Sequence, residues 1–502
     1  MDLVQNFPAI SILLCLFAGI ITSGLKGKAA RALNTVLVIT VIILSASTFV
    51  YTFTTGQSFV YVMGKFPAPW GNEIRAGMLE SLIATFFGVI MLLSLAGGEK
   101  KLHDEIEEEK IFLYYVLNDL LLSSLLALVY TNDIFTAYVF VEINTLAACG
   151  LIMIRQNGRT IEAAVRYMIM SLLGSGLLLM GICMVYDLTG HLLMSNIKET
   201  MANLYATGQM DVPLLVAVAF MSIGLAIKSA LFPFHAWLPD AYGYSTVSSA
   251  AILSSLVSKG YIFLLIKIIY RVVGFEIFKN THIINVLFVF GLCGMIFGSV
   301  NAIRENDIRR MIAFSSVAQI GYIYMGIGLG TEVGMAASVF HIFSHAATKS
   351  MLFIAAIGLT EVSDGSRQFI KLTGAGFRNK VAGITFSVGA LSMVGVPMFA
   401  GFISKLLFAQ AAIYNKGKML PVLIVLGIST VLNAIYFMKT VIRIYTPIDE
   451  ATYKEYNCST ITANKVPLYT VICILFIIVN LILGCVSHEI VQFISSGLSM
   501  FA

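Results

Sequence analysis

The chain carries little charge for its length. Asp, Glu, Lys and Arg together make up 12% of its 502 residues, whereas soluble proteins have about 25%. Hydrophobic residues make up 58% of the chain. This composition indicates an integral membrane protein without a large soluble domain.

Motifs for redox, metal or nucleotide chemistry are also lacking. The seven cysteines form no C-x-x-C pair and no cluster with histidine, which an iron–sulfur centre or a structural zinc site would require. No Gly-rich nucleotide loop or nucleophile constellation is present. The net charge of +5 is spread over single basic residues in short loops, which is unlike a nucleic-acid footprint. We therefore expect no catalytic residue, cofactor site, metal site or nucleic-acid partner in this chain.

Long apolar stretches are what the sequence does contain. Fourteen of them have the length of a membrane span, at residues 8–24, 33–54, 77–96, 111–130, 132–154, 161–186, 213–236, 245–270, 282–303, 308–330, 333–360, 381–413, 419–445 and 466–492. The first lacks the basic start of a secretory signal, so we expect it to be retained. The sequence predicts an all-α, polytopic membrane protein with about fourteen transmembrane helices.

Basic residues in the loops give an orientation. The odd-numbered loops hold nineteen Lys and Arg residues and the even-numbered loops hold seven. By the positive-inside rule the odd loops are cytoplasmic and both termini lie on the outer side.

Six lysines lie within the predicted spans, namely Lys228, Lys259, Lys267, Lys349, Lys405 and Lys439. A charge at the bilayer centre costs about 2.5 to 3.5 kcal/mol, so each needs a partner, a hydrated cavity or an escape to the interface. Lys267 and Lys439 are close enough to span ends to reach the interface. The other four lie deeper, which indicates a functional role.

Acidic residues also occur within spans. Glu142 lies mid-span, and a carboxylate stays ionised when it faces a lysine, so we expect Glu142 to pair with Lys228. Asp119 and Glu80 are possible accessory residues. For these two the sequence is equally consistent with a protonated or water-bridged helix contact, and with oxygen ligands for Na⁺.

One span carries two histidines and a lysine on the same face. His341, His345 and Lys349 follow each other at intervals of four residues, so their side chains project from one side of a helix. Such a face could relay protons, pack through hydrogen bonds or bind a metal. Proton relay is the interpretation we favour, because a metal site would want a third ligand close by.

Two spans combine a deep lysine with proline. Pro233 and Pro239 follow Lys228, and Pro397 precedes Lys405. Proline breaks a helix, and a broken helix in a membrane marks a hydrated cavity. The two lysines are 177 residues apart and the starts of the fourth and ninth spans 171 apart. This spacing predicts two five-helix repeats, inverted relative to each other because each has an odd number of helices.

Four segments together resemble a known family: GLAIKSALFPFHAWLPDA, NDIRRMIAFSSVAQIGY, HIFSHAATKSMLF and GVPMFAGFISKLL. They are similar to the antiporter-like membrane subunits shared by respiratory complex I, Mrp-type Na⁺/H⁺ antiporters and energy-converting membrane-bound hydrogenases. The resemblance implies a fourteen-helix fold, with helices 7 and 12 broken and ion passage at mid-membrane depth. It assigns ion translocation to Glu142, Lys228, Lys259, His341, His345, Lys349 and Lys405.

The resemblance also implies an organisation and a setting. We expect N-terminal helices 1–3 in residues 1–110, repeats at 111–273 and 282–447, and a C-terminal loop and helix at 448–502. The chain would lie in the cell membrane of a prokaryote as a proton or Na⁺/H⁺ translocating subunit beside other membrane subunits, with a soluble redox module elsewhere in the complex. A self-sufficient cation/proton antiporter is the alternative function, and an inactive structural subunit is a third.

Overall fold

A computed structural model of the chain describes residues 2–66, 71–208, 211–448, 458–461 and 467–501. In chain order its α-helices are α1 (Asp2–Gln5), α2 (Phe7–Ser23), α3 (Gly27–Thr55), α4 (Met78–Glu105), α5 (Ile111–Tyr130), α6 (Ile134–Met153), α7 (Gly158–Thr189), α8 (Met194–Ala206), α9 (Asp211–Lys228), α10 (Leu238–Tyr244), α11 (Val247–Ile252), α12 (Ser258–Ile268), α13 (Phe275–Asn280), α14 (Ile283–Arg304), α15 (Ile308–Gly328), α16 (Glu332–Glu361), α17 (Ala375–Arg378), α18 (Lys380–Val394), α19 (Ala400–Ile413), α20 (Lys416–Ile444), α21 (Pro467–Cys485) and α22 (Ser487–Ser499).

The remaining elements are short. Antiparallel strands β1 (Phe59–Val62) and β2 (Glu73–Ala76) pair with Phe59 opposite Ala76. Single-turn 3₁₀ helices lie at Met63–Lys65 and Glu108–Lys110, and π-helical segments lie at Leu253–Val257 and Ile269–Val273. Part of the predicted C-terminal loop, with Lys454 and Lys465, falls outside the described residues.

The helices follow the predicted spans. In the described part of the chain, eleven helical stretches are long and apolar enough to cross a membrane. The other three predicted spans correspond to the shorter apolar helices α2 and α9 and to the pair formed by α18 and α19. The all-α, polytopic fold class is therefore confirmed, whereas the repeat boundaries at residues 111–273 and 282–447 stay a prediction.

Polar caps explain where several of these helices begin. The Asp133 carboxylate accepts from the Thr136 N–H before α6, and the Asp307 carboxylate accepts from the Arg309 and Arg310 N–H groups before α15. Such caps satisfy N–H groups that the first helical turn leaves free. These caps therefore start α6 and α15 at defined residues.

Both helices predicted to be broken are interrupted. Helix α9 ends at Lys228, and the chain turns through residues 229–237 before α10 begins. Helix α18 ends at Val394 and α19 begins at Ala400, with Gly395 at φ 93° between them. The two lysines differ in position, since Lys228 ends the first half of its span whereas Lys405 lies in the second half of its own.

The centre of the molecule is formed by two spans. The apolar windows of α16 and of the helical run Val247–Val273 are 100% buried, whereas those of α3 and α20 are 33% buried. A helix without an exposed face lies inside a bundle. The spans that carry Lys259, His341, His345 and Lys349 are therefore the central ones.

Candidate ion-translocation site

Glu142 and Lys228 meet where helices α6, α7 and α9 come together. The Lys228 Nζ lies 3.5 Å from a Glu142 carboxylate oxygen, and the Lys228 side chain is fully buried. Ser175 donates a hydrogen bond to Glu142, and Lys228 donates to Thr145 at 2.7 Å. The pair expected from the sequence is therefore present, embedded in hydroxyl groups.

The backbone around Lys228 favours a cation. Lys228 is the last residue of α9, and the end of a helix carries a partial negative charge. Helices α7 and α9 approach closely because Gly174 faces Gly224, and a Cβ at Gly174 would lie 2.8 Å from the Gly224 carbonyl oxygen. This contact brings Ser171 of α7 within 3.2 Å of the Lys228 Nζ.

Lys259 lies just after an irregular segment of the eighth span. The π-helical stretch Leu253–Val257 precedes it, and Lys259 donates to the Ser254 carbonyl. π-Bulges are frequent at functional sites. Within the described residues, no hydrogen bond or ion pair joins Lys259 to another member of the predicted set.

The eleventh span presents its three predicted residues along the buried centre. Lys349 donates to the Ile312 carbonyl at 2.9 Å and also to the Ser315 hydroxyl. The His345 and His341 rings stack with centroids 5.9 Å apart. The polar groups of this face therefore follow one another along α16.

The stack continues towards Lys405. The His341 ring stacks on Tyr322 with centroids 5.5 Å apart, and its Nδ1 lies 3.0 Å from the Ser404 hydroxyl. The Lys405 Nζ lies 5.9 Å from the centre of the Tyr322 ring and donates to the Val394 carbonyl at 2.7 Å. Like Lys228, Lys405 thus places its ammonium group at the end of a half-helix.

The possible accessory residues lie away from these contacts. Asp119 accepts from Thr22 at 2.9 Å and from Asn34 at 2.6 Å. Glu80 forms a buried ion pair with Arg271 at 2.5 Å and accepts from the Gly77 N–H. Both oxygens of each carboxylate are therefore already engaged within the chain.

Two basic residues have surroundings that the sequence did not indicate. Lys267, expected to reach the interface, is buried and donates to carbonyls that include Val129 and Thr131, at the end of α5. That expectation was wrong, because the open end of α5 supplies carbonyl acceptors inside the protein. Arg271, counted as a loop residue, is buried against Glu80.

A charged network on the side of the odd-numbered loops was also missed. Three arginines bind the backbone at the end of α10 and just after it: Arg309 donates to the Ser245 carbonyl, Arg155 to Tyr244 and Arg367 to Gly243. The sequence showed these arginines only as a topological signal. Their common target could have been suspected from the polar run YGYSTVSS that follows the broken helix.

Comparisons with known proteins show which family the chain belongs to. Residues 131–432 match the family described as "NADH:quinone oxidoreductase/Mrp antiporter, TM". The chain belongs to this family. The matched region includes all seven residues of the predicted set, whereas Asp119 and Glu80 lie outside it.

Individual relatives extend the match to most of the chain. NADH-quinone oxidoreductase subunit N of Desulforudis audaxviator is 33% identical over 399 residues, covering 78% of this chain and 77% of its own length. A Na⁺/H⁺ antiporter subunit of Alkalihalophilus pseudofirmus is 26% identical over 380 residues, 74% of each chain. The structure of the Mrp complex from Dietzia sp. DQ12-45-1b superposes with a TM-score of 0.86 at 22% identity, over 99% of this chain and 97% of that one.

These matches confirm the resemblance found in the sequence. The chain is a polytopic, antiporter-like membrane protein, and its relatives are subunits of multi-subunit membrane complexes. In the described part of the chain, no group of three or more His, Cys, Asp and Glu side chains could hold a metal ion.

Proposed function

We propose that this chain translocates protons within a multi-subunit redox-driven pump or an Mrp-type antiporter. Protons move along the seven axis residues, namely Glu142, Lys228, Lys259, Lys349, His345, His341 and Lys405. The observation that carries this proposal is the Glu142–Lys228 pair, 3.5 Å apart and placed at the end of a broken helix. The family to which the chain belongs supports the same function.

The pair can act as a switch. An ionised Glu142 stabilises the protonated form of Lys228, and the surrounding hydroxyls of Ser171 and Thr145 hold the ammonium group in place. When the carboxylate is neutralised or drawn away, the buried ammonium loses its counter-charge and the proton is released to the next group. Each transfer is thus controlled by the charge of a neighbour.

The exposure of Glu142 supports control by a partner. Its side chain is 27% exposed in the isolated chain, whereas Lys228 is fully buried. A carboxylate facing hydrocarbon would be costly, so a neighbouring membrane subunit covers this side of α6. The redox chemistry resides in other subunits and reaches this chain as a change in the charge beside Glu142.

Charge-neutral variants test this function. The complex is isolated through a tag on the chain, its partners are identified, and proton uptake is measured in inverted membrane vesicles with the driving reaction of those partners. Glu142→Gln and Lys228→Ala should each assemble normally yet lower coupled proton uptake by about 100-fold, because removal of a positioned acid or base costs that much. Wild-type uptake in both variants would overturn the proposal.

A matched control separates this effect from general loss of charge. Glu276 and Lys279 also form a carboxylate–lysine pair, but both side chains are exposed, so Glu276→Gln should pump normally. The alternative function is tested with the purified chain in liposomes. Cation-driven proton movement by the chain without partners would identify a self-sufficient antiporter.

A further inference from the structure

A polar cleft lies on the side of the odd-numbered loops, directly above the central spans. Its volume is about 650 Å³, and its lining includes Glu105, Val247 and Arg309. The Glu105 side chain is only 7% exposed and lies between Arg155 and Arg309, at 3.7 and 3.9 Å. One Glu105 oxygen accepts from the Val247 N–H at 3.0 Å, so the carboxylate is held at the start of α11.

Buried hydroxyl groups continue from this point into the protein. The residue after Val247 is Ser248, and its hydroxyl accepts from the Tyr114 hydroxyl at 2.6 Å. Ser248 in turn donates to the Ser94 carbonyl at 3.1 Å. The Ser94 hydroxyl lies 3.1 Å from the Ser350 hydroxyl. These groups belong to four different helices and are all buried.

The same row of hydroxyl groups leads towards Lys259. Ser350 donates to the Ala251 carbonyl at 3.3 Å, and Ser255 donates to the same carbonyl at 2.6 Å. Lys259 follows Ser255 by four residues, which places both on one face of the helix. Ser350 is also the neighbour of Lys349 in α16.

Gly98 allows α4 and α11 to pack closely beside these hydroxyl groups. A Cβ at Gly98 of α4 would lie 2.4 Å from the Ser248 Cβ and 2.8 Å from its hydroxyl oxygen, which real side chains do not tolerate. The absence of a side chain at Gly98 therefore brings Ser248 against α4, where its hydroxyl reaches the Ser94 carbonyl.

From this arrangement we propose that protons enter the axis through the hydroxyl groups of Tyr114, Ser248, Ser94, Ser350 and Ser255, with Glu105 as the collecting carboxylate and Lys259 as the receiver. A hydroxyl can accept one proton and release another, so a row of them moves a proton without moving atoms far. This inference rests on the proposed function, and it adds the route by which protons reach the axis residues.

The route is interrupted in the observed geometry. Ser248 donates to the Ser94 carbonyl, and Ser350 and Ser255 both donate to the Ala251 carbonyl. A carbonyl oxygen only accepts. Each hydroxyl must therefore rotate before it passes a proton on. Such interruptions prevent a continuous leak and tie proton entry to the local state of the central helices.

Two independent variants test the route in the intact complex. Tyr114→Phe removes one hydroxyl oxygen and keeps the ring, and Ser94→Ala combined with Ser350→Ala removes the deep pair. We expect each to lower the rate of coupled proton uptake by about 100-fold, the lower end of the contribution of a positioned proton-transfer group. As a further comparison, Ser94→Thr retains the hydroxyl and should take up protons faster than Ser94→Ala.

The control replaces two buried serines elsewhere. Ser11 and Ser123 donate to the carbonyls of Phe7 and Ile12, and their double alanine variant should pump normally. If Tyr114→Phe and the Ser94/Ser350 double variant keep wild-type uptake while Glu142→Gln loses it, the route is wrong and the proposed function stands. If Glu142→Gln and Lys228→Ala also keep wild-type uptake, the proposed function itself fails.

Discussion

His341 and His345 lie in the half of the axis where the described residues place no carboxylate beside a lysine. In the first half, Glu142 accompanies Lys228 at 3.5 Å. Lys405 instead contacts a carbonyl and an aromatic face, and the titratable groups nearest to it along α16 are the stacked imidazoles. The lysine in the first half therefore has a carboxylate as its neighbour, whereas the lysine in the second half has a carbonyl, an aromatic ring and imidazoles.

Removing both imidazoles tests this difference. In His341→Gln combined with His345→Gln, polarity and hydrogen bonding are largely kept, but the ring nitrogens that can accept and donate a proton are lost. We expect coupled proton uptake to fall several-fold while the complex assembles and its partners remain active. The measurement is proton uptake in inverted vesicles between about pH 6 and 8.

The matched control for this double variant replaces His103 and His282 with Gln, since His103 is paired only at the surface and His282 lies outside the axis. Unchanged uptake across the pH range in the His341/His345 variant would mean that the histidines are packing residues.

Helical spans were the part of the fold that the sequence predicted well. Hydropathy and proline spacing are local properties, so the apolar runs and the breaks after Lys228 and before Lys405 could be located from the chain alone. The Glu142–Lys228 pair followed because each charge needed a partner within the membrane. The Arg271–Glu80 pair could not be found in this way, because it joins two spans whose neighbourhood depends on the tertiary fold.

The close crossing of α7 and α9 provides a prediction for these elements. In Gly174→Ala the new Cβ would lie 2.8 Å from the Gly224 carbonyl and 3.0 Å from the Lys228 Cγ, so the helices must separate. Overpacking of this kind costs about 1–3 kcal/mol. We expect a lower thermal unfolding temperature of the purified complex and weaker proton uptake, because Ser171 moves away from Lys228.

The same helix supplies its own control. Gly176 lies two residues further along α7, and a Cβ there would meet no atom within 4 Å. Gly176→Ala should therefore unfold and pump like the wild type. Equal behaviour of the two alanine variants would show that the contact between α7 and α9 does not position the lysine.

Contacts among the loops establish which of them share a side of the molecule. Lys100 pairs with Glu361, linking the third and eleventh loops, and Arg310 pairs with Asp240, linking the ninth and seventh. On the opposite side, the Arg75 side chain donates to the Met500 carbonyl near the end of the chain. The basic residues of the odd loops that the structure describes therefore lie on one side, with the polar cleft and Glu105.

The positive-inside rule predicts that this side of the molecule faces the cytoplasm. Cysteines introduced as Lys28→Cys and Gln368→Cys, at exposed positions of the first and eleventh loops, should react with a membrane-impermeant maleimide only in inverted vesicles. Glu276→Cys, exposed on the opposite side, should react only in intact cells.

Because the proposed entry route opens into the cleft of the odd loops, this orientation makes it a route for cytoplasmic protons. Labelling of Lys28→Cys in intact cells would reverse that direction and turn the same hydroxyl row into an exit.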